Sequence, residues 1–286
     1  MNSIEEAVKR LMSGSSAKDK AVDGSSSAVP HNEFGGKDAQ GSSDKLVCKI
    51  NTIKLKKLGF LTPASVDGVE AEQYRVLKRP LLVNAFNESP DKVERSNSIM
   101  ITSSLEGEGK TFTAVNLAIS MAMERDYTVL LIDSDVIKAS LSKLFGLQEK
   151  MGLVDLLTNP ELELSDVIVS TDIPRLKILP AGRPNVHSTE LMASEQMKQI
   201  ASELSKRYSN RVILYDAPPL LATSQARVLL NLAGQILLVV EAGKTPKDLV
   251  QESAAQLDEN KVIGIVLNKS RIANKGYYGG YYGSSG

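Results

Sequence analysis

Residues 98–111 read SIMITSSLEGEGKT. A short β-rich run, SIMIT at 98–102, passes directly into a glycine-spaced turn and then into a stretch with helical character from Lys110 onward. A turn of this kind can cradle phosphate. Gly107 and Gly109 let backbone N–H groups face inward, Lys110 reaches the β/γ oxygens, and the Thr111 hydroxyl can hold Mg²⁺. Ser104 stands where the usual pattern has its leading glycine, so the strict motif fails by one residue. The competing reading is a glycine-rich helix entrance with an incidental lysine.

The surrounding sequence supplies a matching architecture. TVLLID (128–133), RVILYD (211–216), QILLVV (235–240) and KVIGIVL (261–267) are further apolar runs of strand length. Between the runs lie helical stretches at 110–124, 190–207 and 246–257. Strands buried on both faces and alternating with helices predict an α/β fold with a mostly parallel central sheet flanked by helices, and ligands at the carboxyl ends of the strands. Asp133 and Asp135 close the second run with one residue between them, and Asp216 closes the third before Pro218 and Pro219. Two such acids can share a Mg²⁺ and the proton of a nucleophile, while the third resembles a metal-holding strand-end acid. Each alone is also explained by a turn or a helix cap. Their order on alternating strands is what favours chemistry.

Composition bounds the rest. Lys+Arg and Asp+Glu balance at 34 each, which leaves no electrostatic footprint for nucleic acid. Cys48 is the only cysteine, and the two histidines, His31 and His187, are far apart, so no disulfide or zinc cluster is expected. No run reads as a secretion signal or a membrane span, and a cytoplasmic protein is expected. Residues 1–12 predict a short amphipathic helix on Ile4, Val8 and Leu11. Residues 13–45, rich in Ser, Gly, Asp and Lys, predict a disordered linker. Residues 46–95 predict a helical extension, with Pro80 breaking or restarting its second helix. The main domain is expected at 96–272, followed by a tail at 273–286 that carries Tyr277, Tyr278, Tyr281 and Tyr282 among glycines.

Taken with TIKLKKLGFLTP, EQYRVLKRPLLVNAF and ILPAGRPNVHSTELMASEQM, the motifs SSLEGEGKT, LLIDSD and DAPP and the tyrosine-rich end resemble the bacterial tyrosine autokinases of exopolysaccharide systems. The likeness is to the standalone cytoplasmic type of exosortase and exopolysaccharide clusters and covers residues 47–286. It implies a P-loop NTPase core, ATP and Mg²⁺, and the four tail tyrosines as phosphoacceptors. Lys110, Asp133, Asp135 and Asp216 would be catalytic, with Thr111, Asp135 and Asp216 on the metal. Nucleotide would meet Ser104, Gly107, Glu108, Gly109, Lys110, Thr111 and Phe112, with Asn268 at the adenine. The resemblance further implies a homo-oligomer joined through Glu72, Arg75 and Lys78, a membrane-embedded chain-length regulator that recruits the protein to the inner face of the membrane, and a cognate phosphatase. Departures are Glu106 in place of a proline, Ile137, Lys138 and Ala139 after the paired acids, and Gln225 where an acid is frequent. Two other readings remain at this point: a division- or partition-type ATPase, although no extra lysine precedes Gly107 in the loop, and a nucleotide-binding regulatory pseudokinase.

Overall fold

The structure, a computed structural model, describes residues 47–65, 67–89 and 92–270. The expected N-terminal helix, the linker and the tail tyrosines lie outside the described residues. Eight strands form one sheet: β1 (Val47–Cys48), β2 (Ser98–Ser103), β3 (Thr128–Asp133), β4 (Val169–Thr171), β5 (Leu176–Leu179), β6 (Arg211–Asp216), β7 (Gln235–Glu241) and β8 (Val262–Asn268). Their spatial order is β1-β4-β5-β3-β6-β2-β7-β8. Every pairing is parallel except β4 with β5. The helices are α1 (Thr52–Lys57), α2 (Val69–Phe86), α3 (Lys110–Ala122), α4 (Ser140–Leu144), α5 (Leu153–Thr158), α6 (Leu164–Val167), α7 (Ser188–Met192), α8 (Glu195–Arg207), α9 (Ser224–Leu229) and α10 (Lys247–Ala254).

The apolar runs of β2, β3, β6 and β7 become strands because helices cover both faces of the sheet there, whereas KVIGIVL, expected to be buried on both faces, forms the edge strand β8 and leaves Ile265 and Leu267 exposed. Alternate residues serve different layers: Met100, Leu130, Ile132 and Ile213 enter one core, while Ile99, Ile101, Val129 and Leu131 enter the other. The sequence patterns did not reveal β1, β4 and β5. With two to four residues each, they are too short to show a period. The expected single helix at 190–207 is two, α7 and α8, because the Ser194 hydroxyl accepts from Met197 N at 3.2 Å and caps a new start.

Pro80 neither breaks nor restarts α2, which runs unbroken from Val69 to Phe86. This corrects the expectation from sequence. Pro80 is exposed, so the helix carbonyl that loses its donor can turn to water. The same helix belongs to the main core: Leu55 and Leu61 from the α1 region and Ala71, Leu81 and Leu82 of α2 pack with Leu117, Ile99 and Ile101. Leu61 N donates to Asn116 Oδ1 at 2.6 Å, and the Phe86 and Tyr127 rings stack at 4.6 Å between centroids. The extension at 46–95 is thus built onto α3, the helix that the phosphate loop opens.

Candidate active site

The carboxyl ends of β3, β6 and β2 are neighbours in the sheet, and the singled-out residues sit on them. After β2 the chain turns through Ser104–Gly109 into α3. Gly107 (φ +81°) and Gly109 (φ +101°) occupy the left-handed region that disfavours side chains. A Cβ on Gly109 would also lie 2.0 Å from Asn268 Nδ2. The first N–H groups of α3 lack intrahelical partners, as at any helix start, and so favour an anion there. The Ser104 hydroxyl is buried without a hydrogen-bond partner.

Several of these residues also hold the loop itself. Glu108 is buried, and its carboxylate accepts from Leu105 N at 2.7 Å and from the Thr245 hydroxyl. Its side chain is therefore turned inward, and only its backbone is left for a ligand. Asn268, expected at the adenine, donates Nδ2 to the Glu108 carbonyl at 2.8 Å. The Phe112 ring packs on Phe60, with centroids 4.8 Å apart. Two departures from the family pattern meet: Lys138 Nζ pairs with Glu106 across the loop. Ala139 has φ +47°, a value closed to proline.

Strand register sets the acids. Asp133 and Asp216 are direct partners across the β3–β6 ladder. Both are fully buried. Asp133 Oδ2 accepts from Ser142 N at 2.8 Å and from Ser142 Oγ at 2.7 Å, while Oδ1 has no hydrogen-bond partner. Neither oxygen of Asp216 has one, although Lys110 Nζ lies 3.9 Å from Oδ1. Burial, then the neighbouring Asp216 charge, pushes the Asp133 carboxyl up to about 7. Burial also raises Asp216 to about 6, against the pull of Lys110 and the nearby Thr111 hydroxyl. Lys110 Nζ donates to Asp135 Oδ2 at 2.7 Å. Burial would lower the Lys110 ammonium, but Asp216 and Asp135 together hold it above its ordinary range. The bare carboxylate oxygens fit a hard cation. No cage of three or more His, Cys, Asp or Glu ligands occurs among the described residues.

Ser142 and Lys269 came out of the structure rather than the sequence, and Gln225, noted in the sequence only as a departure, gained its contact there. Ser142 anchors Asp133 through a donor at the start of α4, a contact across nine positions that no spacing rule signals. Gln225 is fully buried and donates Nε2 to the Ser134 carbonyl at 3.0 Å, behind the paired acids. Lys269 donates to the Gly107 carbonyl at 2.7 Å. Of the expected oligomer contact, Glu72 and Arg75 pair with each other on the α2 surface. Lys78 differs: it is buried, with Nζ on the Ser120 carbonyl at 2.7 Å and on Glu124 at 2.6 Å. It caps the end of α3.

Residues 99–279 match the CobQ/CobB/MinD/ParA nucleotide binding domain. The chain is 32% identical over 218 residues to the tyrosine-protein kinase YwqD of Bacillus subtilis, covering 76% of this chain and 87% of that one. The chain belongs to the bacterial tyrosine kinases of this nucleotide-binding family. It is 29% identical over 232 residues to the tyrosine-protein kinase ptk of Acinetobacter johnsonii, 80% of this chain but 30% of that longer protein. The kinase domain of the Escherichia coli tyrosine kinase ETK superposes with a TM-score of 0.61 at 28% identity, over 74% of this chain and 80% of that one. These likenesses favour the kinase reading over the division-ATPase alternative. Among the described residues, no helix is long and apolar enough to cross a membrane.

Proposed function

We propose that this kinase transfers the γ-phosphoryl group of ATP to tyrosines of its own C-terminal tail and thereby regulates exopolysaccharide polymerisation and export. The observation that carries the reading is the meeting of Lys110, Asp133, Asp135 and Asp216 at adjoining strand ends, beside a phosphate loop and with carboxylate oxygens left bare. The phenol oxygen bonds to the γ-phosphorus as the bond to the ADP oxygen breaks, and the phenol proton passes to Asp133. An acceptor titrating near neutrality suits that transfer, because a phenol with pKa of about 10 gives up its proton late. Lys110 and the loop N–H groups spread the charge of the transferring group. Thr111, Asp135 and Asp216 would hold Mg²⁺, whose contribution is to neutralise charge on the phosphates. An incoming phosphate competes with Asp135 for Lys110.

Tyr277, Tyr278, Tyr281 and Tyr282 are the proposed acceptors, carried on a glycine-rich segment that reaches roughly 33 Å over ten extended residues. Such a reach would allow transfer to the site of a neighbouring subunit. Four phosphates would add some −6 to −8 charges to the tail, which favours its release from a site lined by acids. Assembly when unphosphorylated and dissociation when phosphorylated follow, with Glu72, Arg75 and Lys78 at the contact. A membrane-embedded chain-length regulator would recruit and stimulate the kinase, and a cognate phosphatase would reset it. The deciding experiment is phosphotyrosine mapping by mass spectrometry of the full chain after incubation with Mg-ATP. Lys110→Met should abolish tyrosine phosphate while the fold persists by circular dichroism. Wild-type phosphotyrosine in that variant would overturn the assignment, and phosphate confined to other residues would overturn the tail as acceptor.

A further inference from the structure

Two side chains grip the phosphate loop by its carbonyls. Lys269 Nζ donates to Gly107 O at 2.7 Å and is itself held by Glu241 Oε2 at 3.0 Å. Asn268 Nδ2 donates to Glu108 O, the next carbonyl along, at 2.8 Å. In a trans peptide the carbonyl oxygen and the following N–H point in opposite directions. Pinning these two oxygens toward the end of β8 therefore turns the N–H groups of Glu108 and Gly109 to the other side of the loop. Among the described residues neither N–H donates to a protein acceptor. Two adjacent peptides are thus fixed with donors presented to one side, the arrangement that binds anions.

We propose that Lys269 is a positioning residue for the phosphate donor, setting the Gly107–Glu108 peptide so that its N–H meets phosphate. The proposal rests on the nucleotide reading of the loop. Lys269 is placed for this by a left-handed backbone (φ +57°), uncommon for a residue with a side chain, and by the Asn268 carbonyl, which accepts from Ala242 N at 2.9 Å and ties the strand end to the loop after β7. Asn268 complements it, because the amide that holds the second peptide also fills the space beside Gly109. A surface pair between Lys269 and Glu241 alone would matter little. The ammonium on the loop carbonyl is what gives the residue its role.

The test uses the full chain with Lys269→Met and Lys269→Arg. MgADP binding is followed by calorimetry, and backbone amide exchange in the loop is measured without nucleotide. Lys269→Met should weaken MgADP about tenfold, the scale of one charge-assisted hydrogen bond. It should also speed exchange at residues 107–109 and raise KM for ATP with kcat within about twofold, all at an unchanged unfolding midpoint. Lys269→Arg should recover most of the affinity. Wild-type MgADP affinity and loop exchange in Lys269→Met would overturn the proposal, as would a lowered unfolding midpoint that Arg fails to restore. Failure of the unaltered chain to bind MgADP would overturn the nucleotide reading itself, and the positioning role with it.

Discussion

The two halves of the site are built on opposite terms. In the phosphate loop, the Glu108 carboxylate and the Gly107 and Glu108 carbonyls all have partners within the protein. A few ångströms away the acid corner is left open: three carboxylate oxygens of Asp133 and Asp216 are buried without a hydrogen bond. The loop is organised before any ligand arrives, whereas the corner has desolvated charge that only a cation or a proton can compensate. A fold tolerates such unfinished polar groups where a ligand completes them, and on the proposed mechanism the acid corner is where the reaction takes place.

The largest expected effect breaks the corner. Asp133→Asn should lower kcat by roughly 10²–10⁴, the range for a positioned proton acceptor, with little change in MgADP affinity. Single-turnover phosphorylation of the tail checks it, and a rate within threefold of wild type would move the proton to another group.

A pH series sharpens the same contrast. The carboxyls of Asp133 and Asp216 are raised in the folded chain to about 7 and about 6, from an ordinary value of 3.8. Between these values the folded state binds more protons than the unfolded state, so the nucleotide-free protein should lose stability as pH rises from about 4 to about 7 and then level off. Affinity for Mg²⁺ with nucleotide should run the other way and increase across about pH 6 to 8, because the metal needs the ionised acids. Asp216→Asn should flatten the stability profile. Thermal melts of both proteins at pH 5 and pH 8 decide it, and equal slopes would show that the corner is not the source.

Loosening the loop should cost less than breaking the corner. Glu108→Gln keeps the size but weakens the bonds to Leu105 N and the Thr245 hydroxyl, and should reduce MgADP affinity by about threefold to tenfold. Calorimetry reads this directly.

The smallest expected effect concerns stability outside the site. Lys78→Ala strips a buried ammonium from the Ser120 carbonyl and should cost about 1–3 kcal/mol in urea unfolding. Arg75→Ala, at a partly exposed pair, should cost under about 1 kcal/mol. Reversal of that order would show that the contacts of Lys78 with Ser120 and Glu124 contribute little to stability.

How much of this was visible beforehand follows from the physics of each part. Long apolar runs such as TVLLID are strands because both faces are covered, and their ends marked Asp133 and Asp216 at once. Local chemistry also gave Gly107, Gly109 and Lys110. What could not be read depends on contacts distant in sequence: Lys269 on Gly107, separated by 162 positions, and Gln225 on Ser134, separated by 91. The burial of Lys78 was hidden for a related reason: which face of a helix is buried is decided by the helix it packs on. Pro80 shows the reverse case, a local breaker overruled because its missing bond falls on the solvent side.

The direct pairing of Asp133 with Asp216 has an evolutionary corollary. Side chains alternate along a strand, so deleting or inserting one residue in β3 or β6 would send one carboxylate through to the far layer of helices while leaving every neighbouring amino acid in place. Substitution of letters around the two acids leaves their register intact, but a change in the count of letters between Thr128 and Asp133 or between Arg211 and Asp216 should be selected against. Length variation should instead gather in the connecting segments beyond the strand ends.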